Sequence, residues 1–145
     1  MGHVTTADDL VRALDLAPHP EGGHYRRTWT SPVTVTLPDG RTRPTATLIA
    51  YLLPAGAASA WHRVASDEVW IAGAGTVRLE LGGAGAAPAE VVEARLLGVA
   101  APGEPQVVVP AGTWQRTLPT DADALVSCLV SPGFDFADWE LAPER

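Results

Sequence analysis

The chain contains no lysine; all ten of its basic side chains are arginines. A Schiff-base mechanism on a lysine amine is therefore excluded. Any cation in a binding site must be a planar, permanently charged guanidinium, suited to carboxylate or phosphate. The Arg-only, acidic composition also fits a GC-rich bacterial genome. Cysteine is nearly absent as well. Cys128 stands alone, which rules out an intrachain disulfide and a cysteine zinc site. Within the apolar run Ala124-Leu125-Val126-Ser127-Cys128-Leu129-Val130 it reads as a core thiol rather than a nucleophile. Positive charge is in deficit: the formal net charge is −7, which disfavours a nucleic-acid or anionic-membrane partner, since phosphate binding needs a clustered basic face. No apolar run approaches membrane-spanning length, and Met1-Gly2-His3-Val4-Thr5 lacks the basic-then-apolar pattern of a secretory signal. The expected location is the cytoplasm.

What is present suffices for one domain. The chain has 145 residues and is 46% apolar, enough for a core without covalent staples. Thr6-Ala7-Asp8-Asp9 resembles a helix N-cap with acids in the first turn, and Leu10, Val11 and Leu14 supply a helical apolar stripe. Pro18-His19-Pro20-Glu21-Gly22-Gly23 forces an irregular loop. Beyond it the pattern predicts short strands over 24–31, 33–37, 44–53, 59–63, 68–72, 76–81, 90–96, 106–109, 114–118 and 124–130. Pro38-Asp39-Gly40 marks a hairpin, and the stretch from Gly82 to Pro88 a flexible hairpin tip. Such a run of strands favours a sandwich, jelly roll or barrel over any α/β scheme. The expected division is an N-terminal helix over 1–17, a barrel over 24–131, and a tail over 132–145 whose aromatics fold back on the barrel.

The chemistry concentrates between Ser59 and Trp70, where His62 and Glu68 lie six residues apart, each near a tryptophan. If the strands carrying them adjoin, both side chains point inward. A histidine beside a carboxylate is raised in pKa and oriented by it, which suits general acid/base work. The alternative is a buried His–Glu pair that only satisfies itself. His19, Glu21, His24, Tyr25, Arg26 and Arg27 form a second polar cluster. Either this loop covers a cavity mouth and offers an arginine to an anionic substrate group, or Glu21 and the glycines merely shape a turn. Strand alternation places Tyr25 and Arg27 on one face, taken as the interior. Tyr51, in an apolar strand, is a second acid/base or a core tyrosine. Ser59 is a substrate-binding candidate rather than a nucleophile, since no elbow motif accompanies it. Trp61, Trp70 and Trp114 wall a cavity or pack in the core.

Two motifs resemble those of cupin barrels. Gly56 leads into His62, with Glu68 at the expected spacing, and Pro110-Ala111-Gly112 opens the second motif. Val64 then stands where a second histidine would be, and Gln115 where the histidine of the second motif would be. The closest resemblance is to the small cupin-5 family, a domain-of-unknown-function branch of that superfamily. It rests on Leu16-Ala17-Pro18-His19-Pro20-Glu21-Gly22-Gly23-His24-Tyr25-Arg26-Arg27-Thr28, Tyr51-Leu52-Leu53, Ser59-Ala60-Trp61-His62-Arg63-Val64, Asp67-Glu68-Val69-Trp70, the run from Gly103 to Gln115, and Val130-Ser131-Pro132-Gly133-Phe134-Asp135-Phe136. The resemblance implies an all-β, cupin-type double-stranded β-helix (a jelly-roll barrel), a homodimer and a ligand-sized cavity, without implying a reaction.

The combined reading assigns proton transfer to His62, Glu68 and Tyr51. It assigns substrate contact to Tyr25, Arg27, Ser59, Trp61, Trp70, Trp114 and Gln115, with Gln115 or Tyr51 meeting developing negative charge. No cofactor is expected. The expected activity is that of an isomerase, epimerase, lyase or cyclase on a small polar or carbohydrate-like metabolite. Two alternatives stand beside it: a metalloenzyme using His62, Glu68 and Gln115, and a non-catalytic ligand sensor.

Overall fold

The computed structural model describes residues 5–143. The opening Met1–Val4 of the expected N-terminal segment, and Glu144 and Arg145 of the expected tail, lie outside the described residues. The one α-helix among the described residues, α1 (Ala7–Ala13), begins where a capping box forms: Thr6 Oγ1 accepts the Asp9 N–H, and the Asp9 carboxylate accepts the Thr6 N–H, both at 3.1 Å. Its apolar stripe, Leu10, Val11 and Leu14, is half-buried.

The rest is mainly strand. The chain runs through β1 (Ala17–Pro18), β2 (His24–Thr30), β3 (Thr34–Thr36), β4 (Thr42–Pro44), β5 (Thr47–Leu53), β6 (His62–Val64) and β7 (Asp67–Ala74). It continues through β8 (Val77–Leu81), β9 (Glu93–Leu97), β10 (Gln106–Val109), β11 (Gln115–Thr117) and β12 (Ala124–Ser131), then a 3₁₀ turn (Phe136–Asp138) and β13 (Trp139–Leu141). A six-stranded sheet has the order β1-β2-β5-β12-β7-β10, and a five-stranded sheet the order β13-β6-β11-β8-β9. The pairings are antiparallel throughout. The two sheets do not close into a continuous barrel; they are the layers of a jelly-roll sandwich.

Alternation decides which faces meet. On β12, Ala124, Val126, Cys128 and Val130 are buried, and the residues between them are not. Val77, Leu79 and Leu81 of β8, and Val107 and Val109 of β10, repeat the pattern. All of these side chains except Val130 form one core with Tyr51, Leu53, Trp70 and Leu97, joining both sheets. Each fully buried aliphatic side chain contributes roughly 1.5–3 kcal/mol.

Three departures from the sequence pattern bear on the site. The expected strand over 44–53 divides in two: Thr42–Pro44 pairs with β3, and only Thr47–Leu53 enters the large sheet. Pro44 has no N–H to give a central strand, so pairing on the edge hairpin suits it. Ser59 precedes β6 instead of starting it, and locks to β11: its N–H donates to Thr117 Oγ1 at 2.7 Å, and the Thr117 N–H returns to Ser59 Oγ at 3.1 Å. The two short strands β1 and β13, unmarked by any alternating run, each add to a sheet edge.

The loop between β1 and β2 is shaped by glycine. Gly22 and Gly23 have φ of 116° and 75°. A Cβ on Gly22 would sit 2.2 Å from the Ala58 carbonyl oxygen, and one on Gly23 2.7 Å from that of Leu52. Only glycine lets the backbone pass there. The passage carries His19 and Glu21 to one end of the sandwich.

Candidate active site

At that end the two layers enclose a cavity of about 510 Å³, within the range of small-molecule sites. Its walls are mostly apolar, including Ile49, Val64, Val130, Phe134, Phe136 and Trp139. Among these, Phe136 stacks edge-on against Phe134 and Trp139, at 4.9 and 5.6 Å between centroids. The titratable groups lining it include His19, Glu21, His62, Glu68 and Cys128, with Asp15, Arg26 and Arg27 also on the lining.

His62 begins β6 and is 2% exposed. Its Nδ1–H donates to the Ala60 carbonyl at 2.8 Å, which leaves the Nε2 lone pair free. Nε2 lies 3.1 Å from Glu21 Oε2. Burial lowers the His62 pKa, opposed by the charge of Glu68. Glu21 is held on its backbone by the Ala60 N–H, which donates to its carbonyl at 2.7 Å, and on its side chain by the Trp139 indole N–H at 3.3 Å. Burial pushes its carboxyl up to about 8. It therefore holds its proton at neutral pH and can donate it toward His62 Nε2.

Glu68 approaches from the other layer. Burial raises its carboxyl to about 7; His62 opposes that shift and Glu21 reinforces it. Its Oε1 accepts from Gln115 Nε2 at 2.8 Å, and the nearby Cys128 thiol opposes the rise of the carboxyl. The other end of the Gln115 amide is also fixed, because Trp70 Nε1–H donates to Gln115 Oε1 at 2.8 Å. The Tyr51 hydroxyl donates to the Gly22 carbonyl and is raised well above its ordinary pKa by burial. His19 has a buried side chain whose Nδ1 accepts the Glu21 N–H at 3.1 Å. Its ring stands edge-on to Tyr25 at 4.6 Å, and burial depresses its pKa to about 4.

The expected candidates fall into two groups. His62, Glu68, Tyr25 and Arg27 all line the cavity. The first two, however, sit on β6 and β7 in different sheets, not on adjoining strands. The carboxylate within hydrogen-bond reach of His62 is that of Glu21, and the Ala60 carbonyl, not Glu68, orients the ring. The expected rise of the His62 pKa is reversed because burial outweighs the carboxylate. Arg27 donates to the Phe134 carbonyl at 2.8 Å, tying the tail to β2.

Tyr51, Ser59, Trp61, Trp70, Trp114 and Gln115 are not among the lining residues. Tyr51, Trp70 and Gln115 form a buried layer just behind the cavity. Trp114 is wholly buried; its N–H donates to the Gly85 carbonyl at 3.0 Å, and the Arg63 guanidinium covers its ring. Trp61 lies under Arg116. Glu21, His19 and Trp139 complete the site without having been marked as its members. A carboxylate in a Pro/Gly loop looks like a turn former, and nothing in its neighbours signals that the loop is turned inward.

A metal at the position suggested by the cupin motifs would need His62, Glu68 and Gln115 as ligands. These residues do not fit one. The amide oxygen of Gln115 is taken by Trp70, its NH₂ faces the carboxylate that would share the ion, and Val64 is apolar. Among the described residues no group of three or more His, Cys, Asp or Glu is arranged to hold a metal ion. Nor is any described helix long and apolar enough to cross a membrane.

The chain is similar to known proteins along most of its length. A hypothetical protein from Leishmania major superposes with a TM-score of 0.82 at 32% identity, covering 93% of this chain and 86% of its own. A protein from Shewanella oneidensis gives 0.80 at 33% identity, covering 95% and 85%. KdgF from Halomonas sp. gives 0.56 at 21% identity, covering 81% and 87%, a likeness of fold alone. No curated protein matches the chain. Residues 8–142 match the family Cupin_5, described as "Cupin superfamily (DUF985)", and the chain belongs to that family.

Proposed function

We propose that this cupin binds a small polar or carbohydrate-like metabolite in its cavity and moves a proton on it without a metal, as an isomerase, epimerase, lyase or cyclase. The observation that carries the reading is the convergence of Glu21, His62 and Glu68, from a loop and both sheets, on one apolar-walled cavity. General acid/base catalysis is most effective when the group's pKa lies near the working pH, and burial places Glu68 at about 7. Glu68 takes or returns the proton on one side. The Glu21–His62 pair, sharing one proton across 3.1 Å, handles it on the other. The same reading has the protein working in the cytoplasm as a homodimer.

The test starts from the compound that untagged protein retains from the cell, identified by native mass spectrometry. That compound is incubated with the protein in D₂O and followed by proton NMR. Conversion, or loss of a carbon-bound hydrogen signal, is expected, with a drop of about 100-fold or more in His62→Ala and Glu68→Gln. Full turnover by His62→Ala would remove the reading. A bound compound that never changes would make the protein a binding module.

A further inference from the structure

Proton transfer at carbon leaves negative charge somewhere on the substrate, and the cavity must meet it with a donor. The two donors expected for that task are already engaged. The Tyr51 hydroxyl donates to the Gly22 carbonyl, and the Gln115 amide is held between Glu68 and Trp70. His62 Nδ1–H is directed to the Ala60 carbonyl. Several lining side chains retain a donor, among them Tyr25, Arg26 and Arg27; the one that stands directly against Glu21 is His19. The backbone N–H of Glu21 points at His19 Nδ1, so that nitrogen is an acceptor and the ring proton sits on Nε2. Nε2 has no hydrogen-bond partner among the described residues, although the His19 side chain is only 6% exposed and lines the cavity. The ring is held in place by edge contacts with Tyr25 and Tyr51.

We infer that His19 Nε2–H is the hydrogen-bond donor to a substrate carbonyl oxygen, and that the substrates of this cavity are enolisable carbonyl compounds. This rests on the proton-transfer reading above and names its electrophile. The α C–H bond breaks and its proton passes to the Glu68 carboxylate. The C–H electron pair becomes the C=C bond of the enolate as the carbonyl π pair moves onto oxygen, opposite His19 Nε2–H. A proton returned to the other face of the same carbon, from Glu68 or the Glu21–His62 pair, restores the carbonyl with no net redox change. The depressed pKa of His19 fits the role, since a neutral imidazole stays a one-proton donor across the physiological range.

Two substitutions separate this role from a structural one. His19→Gln places an amide N–H near the Nε2 position and lacks the Nδ1 acceptor; His19→Asn keeps an acceptor near Nδ1 for the Glu21 N–H and lacks the distal donor. The probes are dihydroxyacetone and phenylacetone, one polar and one apolar, with protein-catalysed exchange of their α hydrogens in D₂O read by NMR. Wild-type protein is expected to accelerate exchange of at least one. His19→Asn should lose about 100-fold of that acceleration, as for removal of one oxyanion donor, while His19→Gln keeps it within about tenfold. Melting curves establish that both variants fold. Equal exchange in His19→Asn, or loss in His19→Gln with retention in His19→Asn, would make His19 a brace for the loop and overturn the inference. No acceleration of either probe by the wild type would overturn the carbonyl class, leaving proton transfer itself to be decided on the retained compound.

Discussion

One half of the sandwich is filled and the other is hollow, although the same strands run through both. The change occurs along one row of paired residues: Ile49, Cys128 and Trp70 face each other in register across β5, β12 and β7. On one side of the row come Tyr51, Val126 and the core valines and leucines of β8 and β10. On the other come Thr47, Val130 and Glu68, which are paired with one another in register and line the cavity. Alternation is intact in both halves. Whether a strand's inner face meets opposing side chains or an empty volume therefore depends on what closes the end of the sandwich. At the hollow end the closing pieces are the glycine-shaped loop and the aromatic tail, not another apolar strand. His19, Glu21, His62 and Glu68 all lie in that half, where burial shifts their pKa values.

Breaking the filled half should cost most. Leu79→Ala, at a fully buried position, is expected to destabilise the protein by about 3 kcal/mol. Urea unfolding measures this, and the affinity of the folded variant for the retained compound should be unchanged.

The next largest effect depends on pH. Glu21 is raised from 4.5 to about 8, so the stability associated with its protonated form is complete below about 4.5 and is lost as pH rises through about 8. Glu21→Gln does not titrate. The stability of wild type relative to Glu21→Gln should therefore fall by on the order of 3 kcal/mol between pH 5 and pH 9. His19, depressed from 6.5 to about 4, works in the opposite sense: its contribution is present above about 6.5 and is lost as pH falls through about 4. It should leave an acid-side decline in both proteins. A pH-independent difference between them would show that Glu21 is ionised in the cavity at neutral pH.

The smallest effect sharpens the contrast on a single strand. Val126 and Val130 share the inner face of β12. Val126→Ala removes a methyl pair from packed surroundings and should cost about 2 kcal/mol, whereas Val130→Ala borders empty space and should cost about 1 kcal/mol. Only Val130→Ala should change the affinity for the retained compound. Equal costs would mean that the hollow half collapses when no ligand is present.

The filled half was legible from the sequence because alternation in β8, β10 and β12 writes its inner face directly. His62 and Glu68 were legible as cavity groups for the same reason, each lying on a strand with an alternating neighbour. Their mutual geometry was not: a separation of six residues suggests adjacency, yet the turn at Ala65 and Ser66 sends the second strand into the other sheet. Glu21 and His19 were seen as polar loop residues, and only the passage of Gly22 and Gly23 under the Ala58 and Leu52 carbonyls turns them inward. Trp114 misled in the opposite direction. A tryptophan beside a cupin-like motif suggests a cavity wall, and the ring instead packs beneath Arg63.

The hydrogen bond from Trp139 to Glu21 spans 118 residues. The loop that supplies Glu21 is made well before the strand that supplies the indole, which docks at the edge of the five-stranded sheet. During translation the large sheet is completed only when β12 joins β5 to β7, and the hollow end acquires its wall after that, when β13 docks. Competence to hold a ligand should arrive as a late, separate event, and a growing chain stalled short of β13 would be folded in its interior and open at its mouth.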